Sequence, residues 1–223
     1  LKRAEKPLNT SLCAHVDLAS NLDDFFRIDG YVSDVVIRDS LAIYRPEDLR
    51  ADIVTRSDTT WVKVGSGDMN LDLAAKGGYK SLMYVADNLN KELKRQIDNK
   101  YIQHDSLRQV LPVSHLDFSS GPNNILARYA AHIGYDYRRV NAQLRSSPTE
   151  GLDGFVQIDT LKTSGMRIDS IRVDLATGDD GFKYKARVSN AKDNPQICFR
   201  AMLDGSLFAT GIDINLVISV AHD

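Results

Sequence analysis

Strict two-residue alternation near the C-terminal end of the chain is the feature that most constrains its fold. From 182 to 189 apolar side chains alternate with lysine, arginine or serine, and the same period returns on both sides of the Asp204-Gly205 turn signal. Because a strand places successive side chains on opposite faces, this pattern predicts antiparallel strands with one apolar and one polar face. The apolar members are Phe182, Tyr184, Ala186, Val188, Ile197, Phe199, Ala201, Leu203, Ile212, Ile214, Leu216 and Ile218.

The first third of the chain shows the same period in shorter runs. Alternation over 12–18, 61–64 and 69–73 is bounded by turn signals such as Asp29-Gly30 and Gly65-Ser66-Gly67. Short strands joined by tight turns predict an antiparallel meander. The apolar face of such a meander needs a cover, and the ordinary cover is a second sheet or the far wall of a small barrel.

Helical spacing interrupts the strands in the middle of the chain. Apolar residues at three- and four-residue intervals from Tyr79 to Ile97 predict an amphipathic helix. A shorter helix is predicted after Asp105 as its N-cap, and a third is predicted to end at Gly134. We interpret the serine-glycine turn before the third helix as a cap, because no lysine follows in register for a phosphate loop.

The change of period predicts three segments. These are an N-terminal β segment (1–76), a helical insertion with one short strand (77–134) and a C-terminal antiparallel β segment (135–223). The predicted fold class is therefore mainly β with a few helices (α+β).

Catalytic and metal-binding motifs are absent from the sequence. None of the five histidines has a partner at a recognised metal or nucleophile spacing, and the chain contains no P-loop, nucleophile elbow or dinucleotide fingerprint. His115 and Asp117 are predicted to share one strand face, either as an oriented base or as a solvent-facing pair. The two cysteines, Cys13 and Cys198, are predicted to be unpaired. We therefore predict a non-catalytic protein with no cofactor and no metal.

The charge balance argues against nucleic acid as a partner. The chain has 28 basic and 30 acidic residues, which gives a net charge of -2. Without a basic excess, the release of counterions from a phosphate backbone gives little binding energy.

Four segments near the C-terminal end carry a resemblance to a known family. They are SSPTEGLDG at 146–154, MRIDSI at 166–171, YKARVSN at 184–190 and NPQICFRA at 194–201. They are similar to the repeat-like strands of TamB-type translocation and assembly modules, members of the AsmA-like superfamily of Gram-negative bacteria. The resemblance extends over about residues 60–223 and consists of strand and turn patterns.

The resemblance implies a periplasmic stretch of an inner-membrane-anchored envelope protein whose anchor lies outside this chain. Its meander would curl into a β-groove, a β-taco, with the amphipathic helix packed on it or plugging one end. The apolar residues from Phe182 to Ile218 would then line a path for phospholipid acyl chains between the inner and outer membranes. The alternative is a structural module that assists outer-membrane protein assembly by pairing a strand edge with a TamA-type β-barrel. A third interpretation is a secreted β-sandwich enzyme or adhesin.

Overall fold

A computed structural model describes residues 9–38, 43–99, 103–178, 181–208 and 211–220. Within these ranges the chain forms thirteen strands and three helices. The predicted mainly antiparallel β fold with a few helices is confirmed. The strands are β1 Asn9–Ser20, β2 Phe26–Arg38, β3 Ile43–Tyr44, β4 Leu49–Thr55, β5 Thr59–Ser66, β6 Met69–Lys76, β7 Ser114–Ser120, β8 Arg139–Ser147, β9 Gly151–Lys162, β10 Arg167–Thr177, β11 Phe182–Asn190, β12 Phe199–Phe208 and β13 Gly211–Val220.

The strands form one meander in which spatial order follows chain order. The path runs β1-β2-β4-β5-β6-β7-β8-β9-β10-β11-β12-β13, and the short β3 pairs with β2 beside this path. Each pairing along the path is antiparallel. The sheet is not closed, so β1 and β13 are its two edges.

The three segments predicted from the sequence all contribute strands to this sheet. β6 pairs with β7 although two helices separate them in the chain, and β7 pairs with β8 across a third helix. The helices are therefore insertions between strands of one continuous sheet. The division into three segments stays a prediction.

The described strands all belong to one sheet. Since strand pairing places them in one sheet, the second sheet that ordinarily covers an apolar face is not present among them. Few apolar side chains are consequently buried, and most strand positions are half-buried or exposed. The buried apolar side chains of the described residues are Val35, Ile37, Met69, Ala75, Ala127 and Ala142.

The first helix, α1, spans Tyr79–Asn99 and confirms the amphipathic helix predicted from the spacing of its apolar residues. The second, α2 (His104–Gln109), begins one residue before the predicted cap: Gln103 is the N-cap, and Asp105 lies in the first turn. The side chain of Gln96 in α1 explains this start. Its amide donates to the Gln103 carbonyl (2.9 Å) and its Oε1 accepts from the Gln103 N–H (2.8 Å).

The third helix, α3, spans Ile125–His132, and Asn124 is its N-cap. The Asn124 side chain is fully buried, accepts from the N–H of Ala127 (2.8 Å) and donates to Asp68 (2.7 Å) and Ser120 (2.9 Å). Capping as the role of this turn is confirmed, and Gly134 follows the helix with φ of 90°.

The helices lie at opposite ends of the strands. Since β6 and β7 are antiparallel, the end of β6 that leads to α1 lies beside the start of β7, while α3 follows the opposite end of β7. Part of the apolar stripe of α1 faces solvent, because Met83 is 69% and Ile97 is 73% exposed. None of the three helices in the described part of the chain is long and apolar enough to cross a bilayer.

Candidate functional site

The residues predicted to line a groove lie together on three adjacent strands. In β11, β12 and β13, Ala186 lies opposite Leu203, and Leu203 lies opposite Leu216. The other predicted residues of these strands share this face, because they are an even number of positions away. Ile197 is the exception, since it lies just before β12 begins at Phe199.

The same face continues across the whole sheet. One cross-strand row contains only apolar residues and one glycine, and it runs from edge to edge through directly paired positions. Its members are Val16, Gly30, Ala51, Val64, Leu71, Phe118, Ala142, Val156, Val173, Ala186, Leu203 and Leu216.

A second, parallel row is also free of charged side chains. Its members are Leu18, Ile28, Ile53, Val62, Leu73, Leu116, Leu144, Gly154, Leu175, Tyr184, Gly205 and Ile214. We call the side of the sheet that carries these two rows the apolar face.

Exposure along the apolar face depends on the position of the strand. In the middle strands its side chains are half-buried by their neighbours, as at Leu73 and Leu116. At the two edges they are open to solvent, with Val16 62% and Ile214 60% exposed. An uncovered apolar surface that crosses twelve paired strands is far more extended than the scattered apolar residues of an ordinary soluble surface.

The opposite side of the sheet, which we call the polar face, carries the charges. Its central row is Asp17, Asp29, Asp52, Lys63, Asp72, Asp117, Gln143, Phe155, Asp174, Lys185, Asp204 and Asn215. Cross-strand ion pairs form here, as between Lys63 Nζ and Asp72 Oδ2 at 3.4 Å. Both partners stay largely in solvent, so such a pair contributes only about 0 to 1 kcal/mol.

His115 and Asp117 are neighbours on the polar face, as their spacing predicts. His115 Nε2 lies 2.5 Å from Asp117 Oδ2, and each side chain is 41% exposed. Within the described residues, no group of three histidine, cysteine or acidic side chains is placed to hold a metal ion. With 41% of each side chain exposed, the two groups form a partly solvent-exposed pair, and a role as an oriented base stays a prediction.

Two further kinds of group that could carry chemistry are the cysteines and the Asp169 carboxylate. The described cysteines, Cys13 and Cys198, are both free, as predicted. Near the end of the apolar face, Asp169 accepts the Ala191 N–H (2.9 Å) and the Arg167 Nε (2.6 Å). The backbone N–H of Ala191, with the side chains of Asn194 and Arg167, lowers the pKa of Asp169 against the effect of burial. This carboxylate anchors the turn that contains Ile197.

Comparison of the chain with protein-family models, with curated proteins and with solved structures found no match. The apolar face is consequently the feature of the molecule on which a functional interpretation rests.

Proposed function

We propose that this chain binds phospholipid acyl chains along its apolar face and lines a path for their transport between the inner and outer membranes. The observation that carries the proposal is the pair of edge-to-edge rows without a charged side chain. The protein would be the periplasmic part of an inner-membrane-anchored, TamB-type protein of the AsmA-like superfamily. The resemblance of its C-terminal strands to that family supports this assignment.

The energetics of an open apolar face favour an apolar ligand. A water-exposed face of this extent is an aggregation hazard unless something covers it. Each methylene that a lipid chain buries contributes about 0.8 kcal/mol, so a few methylenes give measurable binding. Charged groups would fix a ligand in one position, and their absence from the two rows lets an acyl chain slide along the sheet.

In this proposal the apolar face of the open sheet would form one wall of a groove for the acyl chain. The sheet is not closed, which is compatible with such a groove. α1 and α3 follow opposite ends of the strands, so they would lie along the two rims of the groove. In this arrangement α1 would lie along one rim and cap the groove there.

Two neighbouring residues of the edge strand test the proposal. Leu216 lies in the first apolar row, whereas its neighbour Asn215 lies opposite Asp204 on the polar face, and both are exposed. Leu216→Glu places a carboxylate on the lipid path and is expected to weaken binding of a fluorescent fatty acid about tenfold. Asn215→Glu, the matched control, is expected to bind as the wild type does.

Native mass spectrometry after mild extraction gives the second measurement. Wild-type protein and Asn215→Glu are expected to carry phospholipid, and Leu216→Glu is expected to lose most of it. Folded wild-type protein that carries no phospholipid and binds no fatty acid would contradict the proposal.

The open edges of the sheet support a second candidate, assistance to outer-membrane protein assembly. β13 is exposed along its whole length and pairs on one side only, with β12. A free edge of this kind can add a strand from a partner such as a TamA-type β-barrel. In this case a purified barrel would bind the wild type, and no lipid would co-purify. Proline substituted singly at Asn215 and at Leu216 would block binding of the barrel in one of the two variants. Binding that survives both substitutions would exclude this edge as the contact.

A further inference from the structure

A depression on the polar face of β9 to β13 is rich in basic side chains. Its volume is about 500 Å³, and it has arginine, lysine and serine side chains but no carboxylate among its lining residues. A wider depression of about 750 Å³ over β2 to β10 differs, because aspartates and basic side chains alternate around it. The smaller depression is lined chiefly by Arg172, Lys185, Arg187, Arg200, Ser170 and Ser189.

Strand register brings its basic groups together. Arg172 in β10 lies directly opposite Arg187 in β11. Arg200 in β12 lies opposite Ser189, which places it diagonal to Arg187. Like charges at directly opposed positions destabilise a sheet, so three converging guanidinium groups need an explanation.

The protein compensates this charge only in part. Asp174 serves two arginines: its Oδ1 accepts from Arg172 Nε (2.8 Å), and its Oδ2 pairs with Arg187. Lys185 lies between Asp174 and Asp204 in the register. Within the described residues, Arg200 makes no ion pair and no hydrogen bond through its side chain.

Three serines lie with Arg200 in one cross-strand row, which ends on the β9 side at the Asp159 carboxylate opposite Ser170. Ser170 lies opposite Ser189, Ser189 opposite Arg200, and Arg200 opposite Ser219. Ser170 and Ser189 are half-buried. Hydroxyl groups beside guanidinium groups are the donors that commonly bind phosphate oxygens.

We propose that this depression binds a phosphate ester anion, which takes hydrogen bonds from the guanidinium groups of Arg187 and Arg200 and from the adjacent serines. Guanidinium is the side-chain group best matched to two phosphate oxygens at once. The site lies on the face opposite the proposed lipid path, so it goes beyond that function and does not depend on it. The anion has two possible sources, a soluble phosphate ester or the headgroup of a phospholipid at a membrane surface.

Arg200→Gln tests the site, with Lys183→Gln as the matched control. Both replace a basic, exposed residue of the polar face by a neutral one, but Lys183 lies outside the depression, opposite Ala176 and Ser206. Circular dichroism establishes that each variant folds. Since Arg200 pairs with no carboxylate among the described residues, its loss is expected to leave the melting temperature in chloride unchanged or raised.

The soluble arm measures binding of sn-glycerol 3-phosphate at constant ionic strength, by calorimetry and by the rise in melting temperature. The wild type and Lys183→Gln are expected to bind equally, and Arg200→Gln is expected to bind about tenfold more weakly. The membrane arm compares sedimentation with phosphatidylglycerol and phosphatidylcholine vesicles. Preference of the wild type and Lys183→Gln for phosphatidylglycerol, reduced in Arg200→Gln, assigns the site to a headgroup.

Three results would overturn the proposal. One is wild-type protein that responds neither to glycerol phosphate nor to anionic vesicles. Another is an equal response of Arg200→Gln and the wild type. The third is an equal loss in Lys183→Gln, which would attribute binding to the general charge of the face. The fatty-acid assay of the apolar face is separate, so failure of one assay leaves the other interpretable.

Discussion

The two faces of the sheet are formed by the same strands, yet they follow different rules. Neighbouring residues such as Leu73 and Asp72 belong to opposite faces, and each is paired with a residue of its own kind across the strands. The polar face holds charged side chains in solvent-exposed cross-strand pairs. The apolar face has two edge-to-edge rows that contain no charged side chain. The comparison teaches that strand register determines which side chains each face of the sheet presents, because a shift by one residue would exchange the two faces.

The strongest test of this difference is a charge placed at the centre of the apolar face. Leu73→Asp is expected to lower the free energy of unfolding by roughly 3 kcal/mol, because it removes a half-buried side chain and desolvates a carboxylate. Asp72→Ala, one position away on the polar face, is expected to change it by less than about 1 kcal/mol. Denaturant titration followed by circular dichroism measures both. Equal losses would show that the two faces are equally exposed.

A smaller effect is expected from adding one methyl group within the apolar face. Gly154 has φ of 147°, and a Cβ atom there would lie 1.9 Å from the carbonyl oxygen of Gln143. Gly154→Ala is therefore expected to cost roughly 2 kcal/mol in backbone strain. Gly30 has an ordinary φ and its Cβ would lie 3.7 Å from the Ala51 carbonyl oxygen, so Gly30→Ala is the control.

Thermal unfolding of the two glycine variants measures this effect. Gly30→Ala is expected to be neutral or slightly stabilising, since the added methyl group extends the apolar row at an unstrained position. If Gly154→Ala were equally stable, β9 would have to adopt a regular conformation at this position, and the apolar row would not need glycine there.

The strongest alternation in the sequence predicted the C-terminal part of the apolar face. From Phe182 to Ile218 the strict period identifies the strands, and the structure places all the predicted members except Ile197 in β11 to β13. The part of the apolar face formed by β1 to β10 was not predicted as part of the site. In β5 and β9 the alternation is interrupted by apolar residues on the polar face: Trp61 is 43% exposed there, and Phe155 stacks against Arg172 at 4.2 Å.

The sequence pattern could not predict features that depend on pairing between distant segments. Nothing in the period shows that β6 lies beside β7, because α1 and α2 intervene. The arginines at 172, 187 and 200 are similarly far apart in the chain, and only the register of β10 to β12 brings them together. The start of α2 depends on hydrogen bonds to Gln96, so the preference of Asp105 for a cap position did not decide it.

The smallest expected effect concerns a carboxylate of the polar face and depends on pH. Burial alone would raise the pKa of Asp174, but hydrogen bonds from Arg187 and Arg172 outweigh it, and the pKa is lowered from the ordinary value of 3.8. A carboxyl group with a lowered pKa in the folded state stabilises the protein above its unfolded pKa, and this contribution is lost as pH falls through the folded value. Asp174→Asn is therefore expected to melt about 2 °C below the wild type at pH 7.

This difference in melting temperature should narrow as the pH falls below about 4 and should disappear once the Asp174 carboxyl group of the wild type is protonated in the folded state. Differential scanning calorimetry from pH 7 to acid, with Asp213→Asn as an exposed carboxylate control on the same face, measures it. A phosphate ester in the adjacent depression should shrink the difference at pH 7, because it supplies negative charge to the same arginines. A difference that is constant with pH would mean that Asp174 acts through packing, and the charge compensation inferred for this part of the polar face would then be wrong.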